Sequence, residues 1–134
     1  MHLLLIHQAF VSPSEAGGTR HFELGQHLLK AGNEFTIVAS DVSYLTGKSL
    51  FDKPSLMTAQ EFAGIRILRA YTYPAVHQGF VWRVISFLSF MVSSVYAGLK
   101  AGPVDLVMGT SPPIFQAVSA WLVATLRRRP FLLE

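Results

Sequence analysis

Short apolar segments that do not alternate with polar residues recur along this chain, and longer segments with helical spacing separate them. The first is Leu-Leu-Leu-Ile at residues 3–6, and the last is Phe-Leu-Leu at residues 131–133. A strand that is apolar on both faces is typical of a parallel sheet covered by helices. Parallel neighbours need crossover connections, which the intervening helical segments supply. The pattern therefore predicts an α/β fold.

The order of the segments predicts a Rossmann-like open parallel sheet of five strands with right-handed crossovers and the strand order 3-2-1-4-5. The predicted strands are residues 3–6, 35–39, 65–69, 104–108 and 131–133, and the predicted helices are residues 19–31, 80–100 and 114–127. Residues 41–63 contain Gly47 and Pro54, so we expect an irregular connection there, with a short helix near residues 59–62.

The size and composition predict one domain with an ample core. The chain has 134 residues, of which 51% are hydrophobic and 14% are charged, and this composition disfavours disorder. Cysteine is absent, which excludes disulfides and cysteine-based metal sites. The histidines show no metal-binding spacing, so we expect neither a metal nor a cofactor. The net charge of +3 is compatible with anionic substrates or an anionic membrane surface, and we expect no nucleic-acid partner.

The connection between the first strand and the first helix carries the clearest functional pattern. Gly17 and Gly18 stand where the chain enters the helix, and their lack of a Cβ lets the backbone approach a ligand closely. The start of a helix offers unpaired N–H groups to an anion, and Arg20 adds a guanidinium suited to phosphate. Residues 13–20 are therefore predicted to hold a phosphate or diphosphate. The alternative is a tight turn only, because the pattern is neither Gly-x-Gly-x-x-Gly nor a Walker loop.

A second connection is predicted to meet the first. In an open parallel sheet, ligands bind beyond the carboxyl ends of the strands where the strand order reverses. For the expected order, that point lies between the first and fourth strands, and residues 8–19 and 109–113 form its two loops. Thr110 and Ser111 supply hydroxyl groups there, either to a ligand or to cap the helix that Pro112-Pro113 begins.

Together these segments resemble the N-terminal part of family-four glycosyltransferases, the retaining enzymes with two Rossmann domains (GT-B) that use nucleotide sugars. The similar segments are Leu-Leu-Ile-His-Gln, Pro-Ser-Glu-Ala-Gly-Gly-Thr-Arg-His-Phe-Glu-Leu, Arg-Ala-Tyr-Thr-Tyr-Pro, Ser-Pro-Pro and Arg-Pro-Phe-Leu-Leu-Glu. They occur in the family's order and extend over essentially the whole chain.

The resemblance implies transfer of a sugar from a nucleotide-sugar donor to a glycan or polyprenyl-linked acceptor, as in cell-envelope polysaccharide synthesis. It implies that Arg20 steadies phosphate and that Glu15 binds a sugar hydroxyl. The implied substrate-binding residues are Glu15, Gly17, Gly18, Thr19, Arg20, Thr110 and Ser111, and no catalytic residue is assigned. The family's second domain, with its paired glutamates, is not among these residues. We therefore expect residues 1–134 to be the acceptor-side domain without the donor domain, inactive alone.

The sequence departs from many members of the family after the fourth strand. A histidine pattern is common there, whereas this chain has Met108-Gly109-Thr110, which is typical of a Ser-Pro-Pro branch. No histidine role is carried over. Retaining transfer in such enzymes is usually proposed without a protein nucleophile, and groups that stabilise the leaving diphosphate do the electrophilic work.

Residues 80–100 form the most apolar segment, and two interpretations remain open. Val81, Val84, Ile85, Leu88, Val92, Val95 and Leu99 can share one helix face, with serines largely opposite. The segment is either a core helix of the domain or an interfacial helix with Arg83 and Lys100 at lipid headgroups. Arg127-Arg128-Arg129 complements a helix end and offers a further contact for anionic lipid. The N-terminus lacks the features of a signal peptide, so we expect a cytoplasmic protein, peripheral at the membrane in the second case.

Two other functions compete with the transferase. One is a non-catalytic phosphate- or nucleotide-binding Rossmann module, although a dinucleotide is disfavoured without Gly-x-Gly-x-x-Gly and with only Asp41 near the end of the second strand. The other is a small membrane-associated interaction protein built around residues 80–100.

Overall fold

In a computed structural model the chain forms one six-stranded sheet with helices on both faces, described here for residues 1–8, 20–42, 49–52, 55–74, 79–111 and 114–134. The strands are β1 (His2–Ile6), β2 (Glu34–Ser40), β3 (Met57–Phe62), β4 (Ile65–Ala70), β5 (Leu106–Gly109) and β6 (Phe131–Leu133). The helices are α1 (Arg20–Lys30), α2 (Phe80–Leu99) and α3 (Ile114–Arg127).

The sheet is mixed but mostly parallel, in the order β3-β4-β2-β1-β5-β6. β1 lies at its centre and pairs in parallel with β2 and β5, with Leu3 opposite both Phe35 and Leu106. Without β3, the order is the one predicted for the five parallel strands. The order of those five strands, their parallel pairing and the three helices are therefore confirmed, whereas a sheet of five strands that is parallel throughout is not.

The edge strand β3 corrects the prediction for residues 41–63. The helix expected near residues 59–62 is wrong, because these residues belong to a strand that pairs antiparallel with β4. Ala63 and Gly64, with φ values of 52° and 85°, form a two-residue hairpin turn that places Phe62 opposite Ile65. Hairpin pairing overrides the helix preference of Ala, Gln and Glu, and the sheet is consequently not purely parallel.

Two apolar layers hold the helices on the sheet. On one face, α1 packs through Phe22, Leu24, Leu28 and Leu29 onto Leu3, Leu5, Phe35, Ile37, Ile65 and Ile67. On the other face, α2 and α3 cover Leu4, Ile6, Val38, Leu68, Val104 and Val107. Alternate residues of β1 enter opposite layers, which explains why its sequence is apolar without interruption.

α1 approaches the sheet closely through Gly25. A Cβ at this position would lie 2.6 Å from Cδ1 of Phe35 and 2.7 Å from Cδ1 of Ile65. The glycine in the middle of the helix therefore lowers the distance between helix and sheet rather than breaking the helix, and its cost in helix propensity is about 1 kcal/mol.

α2 packs on the sheet as a core helix would, but with its serine-containing side inward. The buried residues of α2 are Ser86, Phe90, Ser93, Ser94, Ala97 and Gly98. Ser93 donates a hydrogen bond from Oγ to the carbonyl of Tyr71 at 2.5 Å, and Ser119 of α3 donates to the carbonyl of Met91 at 3.0 Å. These small residues let α2 lie close to its neighbours, and most of its large apolar side chains face outward.

Candidate functional site

The strand order reverses at β1, where β2 lies on one side and β5 on the other. Ile6 and Gly109 are opposite each other at the carboxyl ends of these strands. This is the topological switch point at which open α/β sheets bind ligands. The sequence predicted this location between its first and fourth strands, and the described residues of both loops lie there.

Three of the predicted site residues are described, and all three are at this edge of the sheet. Arg20 begins α1, while Thr110 and Ser111 directly follow β5. Glu15, Gly17, Gly18 and Thr19 lie outside the described residues.

Buried side chains form a hydrogen-bonded network around Thr110. Gln116 donates from Nε2 to Oγ1 of Thr110 at 2.5 Å, and its Oε1 accepts from the backbone N–H of Gln8 at 2.7 Å. Nδ1 of His7 lies 2.8 Å from the same Thr110 oxygen. Gln116 thus links the ends of β1 and β5 from α3, and Thr110 is part of this network.

A second group of side chains meets at one carboxylate oxygen. The Arg20 guanidinium donates to Oε1 of Glu134, and Nε2 of His21 lies 3.2 Å from the same oxygen. The backbone of Glu134 pairs with the end of β5 and the loop after it, donating to the carbonyl of Gly109 at 2.9 Å and accepting from the N–H of Ser111 at 3.3 Å. Residues from α1 and from the strand after α3 therefore create a position for an anionic oxygen at the start of a helix.

The two groups touch through their histidines. The rings of His7 and His21 are 4.2 Å apart between centroids and tilted by 42°. His7 is thus a packed and hydrogen-bonded residue, as expected for a histidine at the end of a core strand. Among the described residues, Oε1 of Gln8 is a buried acceptor at this edge without a hydrogen-bond partner. Such an acceptor is normally satisfied by water or a ligand.

Burial keeps both histidines neutral near pH 7. Burial, together with the charges of His21 and Arg20, lowers the pKa of His7 to about 4. Burial also lowers the pKa of His21, although the hydrogen bond and the charge of Glu134 oppose that shift. Arg20 therefore supplies the fixed positive charge of this group, and the histidines act as neutral hydrogen-bonding groups.

We expect the His7→Asn variant to lose less stability in acid than the parent. The folded pKa of about 4 lies below the ordinary value of 6.5, so the contribution of neutral His7 is complete above pH 6.5 and is lost as the pH falls toward 4. The difference amounts to about 1–3 kcal/mol at pH 4.5. Melting temperatures of both proteins between pH 7.5 and 4.5 test this.

The variant comparison matters because Asp41 acts in the opposite direction. Burial raises the pKa of Asp41 to about 6, against the hydrogen bond from the Thr72 N–H and the charge of Arg69. This carboxyl therefore stabilises the fold more as the pH falls, and it affects parent and variant alike. If the difference in melting temperature between the parent and His7→Asn is the same at every pH, the lowered pKa assigned to His7 is contradicted.

Asp41 directly follows β2 but does not face a ligand at the edge. It is 4% exposed, and its Oδ1 accepts from the backbone N–H of Thr72 at 3.0 Å. The acidic residue that would bind a ribose in a dinucleotide site is thus used to join the loops after β2 and β4.

Other concave regions lie at the opposite edge of the sheet. A cavity of about 520 Å³ is lined by residues that include His2, Glu34, Thr36 and Arg66, at the amino ends of the strands. Nε2 of His2 already pairs with Oγ1 of Thr36 at 2.7 Å, and Arg66 donates to the carbonyl of Ala101 at 3.0 Å. Parallel sheets bind ligands at their carboxyl edge, so the switch point is the better candidate.

Within the ranges that the structure describes, no cluster of three or more His, Asp or Glu side chains has an arrangement that holds a metal. Reasoning from sequence missed His21, Gln116 and Glu134 as members of the site. For Gln116 a pattern was available, since an amide in the otherwise apolar or small-residue first turns of α3 indicates a buried hydrogen-bonding role.

Comparison with known proteins adds no assignment. No protein-family model matches the sequence, and no curated protein is similar to it at a significant level.

Proposed function

We propose that residues 1–134 form the acceptor-side domain of a GT-B glycosyltransferase of family four, which moves a sugar from a nucleotide-sugar donor to a glycan or polyprenyl-linked acceptor. The observation that carries the proposal is the convergence of Arg20 and His21 on one anionic oxygen at the switch point, just after the Gly-Gly segment in the sequence. The resemblance of the sequence segments to that family supplies the reaction class.

The chemistry of the site suits a leaving diphosphate. Negative charge develops on the diphosphate as the glycosidic bond to the donor breaks, and preorganised donors lower the energy of that state. Arg20 provides a guanidinium at the first turn of α1, where the N–H groups and the helix dipole also favour an anion. Glu134 would give up its place to a phosphate oxygen, because its side chain pairs with Arg20 near the surface, where such pairs are weak.

Polar groups beside the anion position suit sugar hydroxyls. Ser111 is exposed, and the buried Oε1 of Gln8 needs a donor. Thr110 is engaged by His7 and Gln116, so we assign it to holding the two loops together. We therefore assign Arg20 to the phosphate of the donor, and the loop after β5 to the acceptor.

The second candidate is a phosphate- or nucleotide-binding module without catalysis. The same anion position would serve it, but the engagement of Asp41 by the Thr72 amide disfavours a dinucleotide. The two candidates differ in whether a sugar is transferred, not in whether phosphate binds.

Sugar transfer is the decisive measurement. We expect a protein that joins residues 1–134 to the coding sequence that follows them to transfer sugar from one or more of the UDP-, GDP- and ADP-hexoses to polyprenyl phosphate or polyprenyl-diphosphate sugars. The 134-residue chain is expected to show little or no transfer, because catalysis requires donor and acceptor to be held together. Nucleotide binding by the longer protein without any transfer favours the second candidate, and robust transfer by residues 1–134 alone contradicts the proposed division into domains.

A further inference from the structure

The outward sides of α2 and α3 form one apolar surface. Both helices cover the same face of the sheet and touch each other, with the rings of Phe87 and Phe115 5.7 Å apart. We call this surface the α2–α3 face, and it consists of Val81, Ile85, Leu88, Val92, Tyr96, Leu99, Ile114, Val118 and Trp121. Each of these residues is at least 37% exposed, and Val92 reaches 68%. A contiguous apolar surface of this kind usually marks a binding site.

The charges around the α2–α3 face are almost all positive. Arg83 lies near the start of α2, Lys100 at its end, and Arg127–Arg129 at the end of α3. Asp105 is the single acidic residue among residues 79–133, and its carboxylate accepts from the backbone N–H of His2 at the amino edge of the sheet. Arg83 lies on the side of α2 that faces the sheet, so Lys100 and Arg127–Arg129 are the cations at the border, and they place four of the eleven Lys and Arg residues at one end of an apolar surface that carries no acidic side chain.

The aromatic residues of this region are placed as at a lipid–water boundary. Both tryptophans of the chain, Trp82 and Trp121, are about half exposed here, and Tyr96 is exposed with the Lys100 ammonium 5.7 Å from its ring. Tryptophan and tyrosine favour the headgroup region because one part of the ring system is apolar and another is polar. Apolar, aromatic and cationic groups on one side are typical of a surface that lies in a membrane interface.

α2 is long and apolar enough to cross a membrane. Among the described residues, it is the one helix that meets this criterion, with 20 residues and a mean hydropathy of 1.5. A buried core helix meets the same criterion, but only 28% of its most apolar window is buried here. Phe90, Ser93 and Gly98 hold α2 against the sheet and α3, and leaving them would open the core. These contacts favour a helix that lies on a bilayer rather than one that spans it.

We propose that the α2–α3 face binds flat on a membrane that contains anionic lipids. The apolar side chains enter the boundary between headgroups and acyl chains, and Lys100, Arg128 and Arg129 contact lipid phosphates. This surface is distinct from the switch-point site, and its membrane binding does not depend on the proposed transferase function. If that function also holds, the start of α2 at the carboxyl edge of the sheet brings the site close to a lipid-linked acceptor.

Vesicle flotation and tryptophan fluorescence test the proposal directly. We expect the 134-residue chain to float with vesicles of phosphatidylcholine containing 30% phosphatidylglycerol and to bind vesicles of pure phosphatidylcholine at least tenfold more weakly. The emission maximum should shift to shorter wavelength on binding, because Trp121 leaves water. Replacing both Arg128 and Arg129 by glutamine should weaken binding about tenfold or more.

Matched variants separate the surface from general stickiness. Val92→Ser combined with Trp121→Ser should abolish flotation, whereas Leu56→Ser, at an apolar residue 47% exposed before β3, should leave it unchanged. Circular dichroism melting checks that each variant is folded. If the double variant does not fold, the Val92→Ser single variant replaces it in the flotation experiment. Equal binding to neutral vesicles, or equal loss with Leu56→Ser, overturns the proposal. The proposal also fails if the chain self-associates, does not bind vesicles, and loses its self-association in the Val92→Ser variant. That result would assign the α2–α3 face to contact with a second copy of the chain.

Discussion

Arg20→Ala is expected to weaken the binding of inorganic pyrophosphate about ten- to a hundredfold while leaving the melting temperature nearly unchanged. The lost interaction is a charge-assisted hydrogen bond, for which about 1.5–3 kcal/mol is typical. The effect on stability is small because the Arg20 side chain is 71% exposed and its pairing with Glu134 is screened by water. Isothermal titration calorimetry of the chain with pyrophosphate, beside thermal melting, measures both quantities.

Two further variants make this comparison specific. Glu134→Gln removes the carboxylate that occupies the anion position, so pyrophosphate affinity should rise rather than fall. Lys30→Ala removes an exposed cation from the opposite end of α1 and should leave the affinity unchanged. If Arg20→Ala and Lys30→Ala behave alike, the switch point does not bind phosphate, and the proposed function loses its main local support.

Phe90→Ala is expected to lower the free energy of unfolding by about 3–5 kcal/mol, because it leaves a cavity between α2 and the sheet. Phe90 is fully buried and is among the largest side chains in the core. For a domain of this size, the melting temperature should fall by roughly 10–20 °C. Chemical denaturation and calorimetry give the two values.

Val92→Ala, two residues further along the same helix, is the matched control. Val92 faces outward, so its truncation should change stability by no more than about 0.5 kcal/mol. The pair of variants reports which side of α2 is buried. A larger loss for Val92→Ala than for Phe90→Ala would mean that α2 packs through its apolar side, and the α2–α3 face would then not exist.

The sheet topology was predictable because it follows from local patterns. β1 and β2 are buried on both faces, and their apolar sequences show this directly. β3 was not predictable in the same way, since its sequence Met-Thr-Ala-Gln-Glu-Phe lacks the apolar run that marks the other strands, and most of its residues are exposed. Its strand conformation depends on pairing with β4 through the turn at Ala63 and Gly64, and residue preferences alone do not contain that information.

The place of the site was predictable, but its full membership was not. A topological rule brings Arg20 and Thr110 to one edge of the sheet once the strand order is known. The partner of Arg20 is Glu134, 114 positions away, and that contact arises because β6 pairs with β5. The location of the Arg20 guanidinium thus followed from the sheet topology, whereas its contact with the Glu134 carboxylate could be found only in the three-dimensional structure.

The orientation of α2 shows a different limit of sequence patterns. An apolar stripe is expected to face the core, yet Gly98 and the inward serines pack there instead. A Cβ on Gly98 would lie 2.8 Å from Cγ2 of Val123, so the close approach of α2 and α3 selects small residues. The helical spacing of the apolar residues correctly predicted a helix, but it did not determine which side of that helix is buried.

The central position of β1 has a consequence for synthesis of the chain on the ribosome. Residues 2–6 are made first, and their first partner strand is complete by residue 40, but their second partner is complete only at residue 109. At 5–20 residues per second, an interval of roughly 3–14 s separates the two partners. During that time one side of this central apolar strand has no neighbour, so nascent chains stalled between residues 40 and 109 should be preferred substrates for chaperones that bind exposed apolar strands.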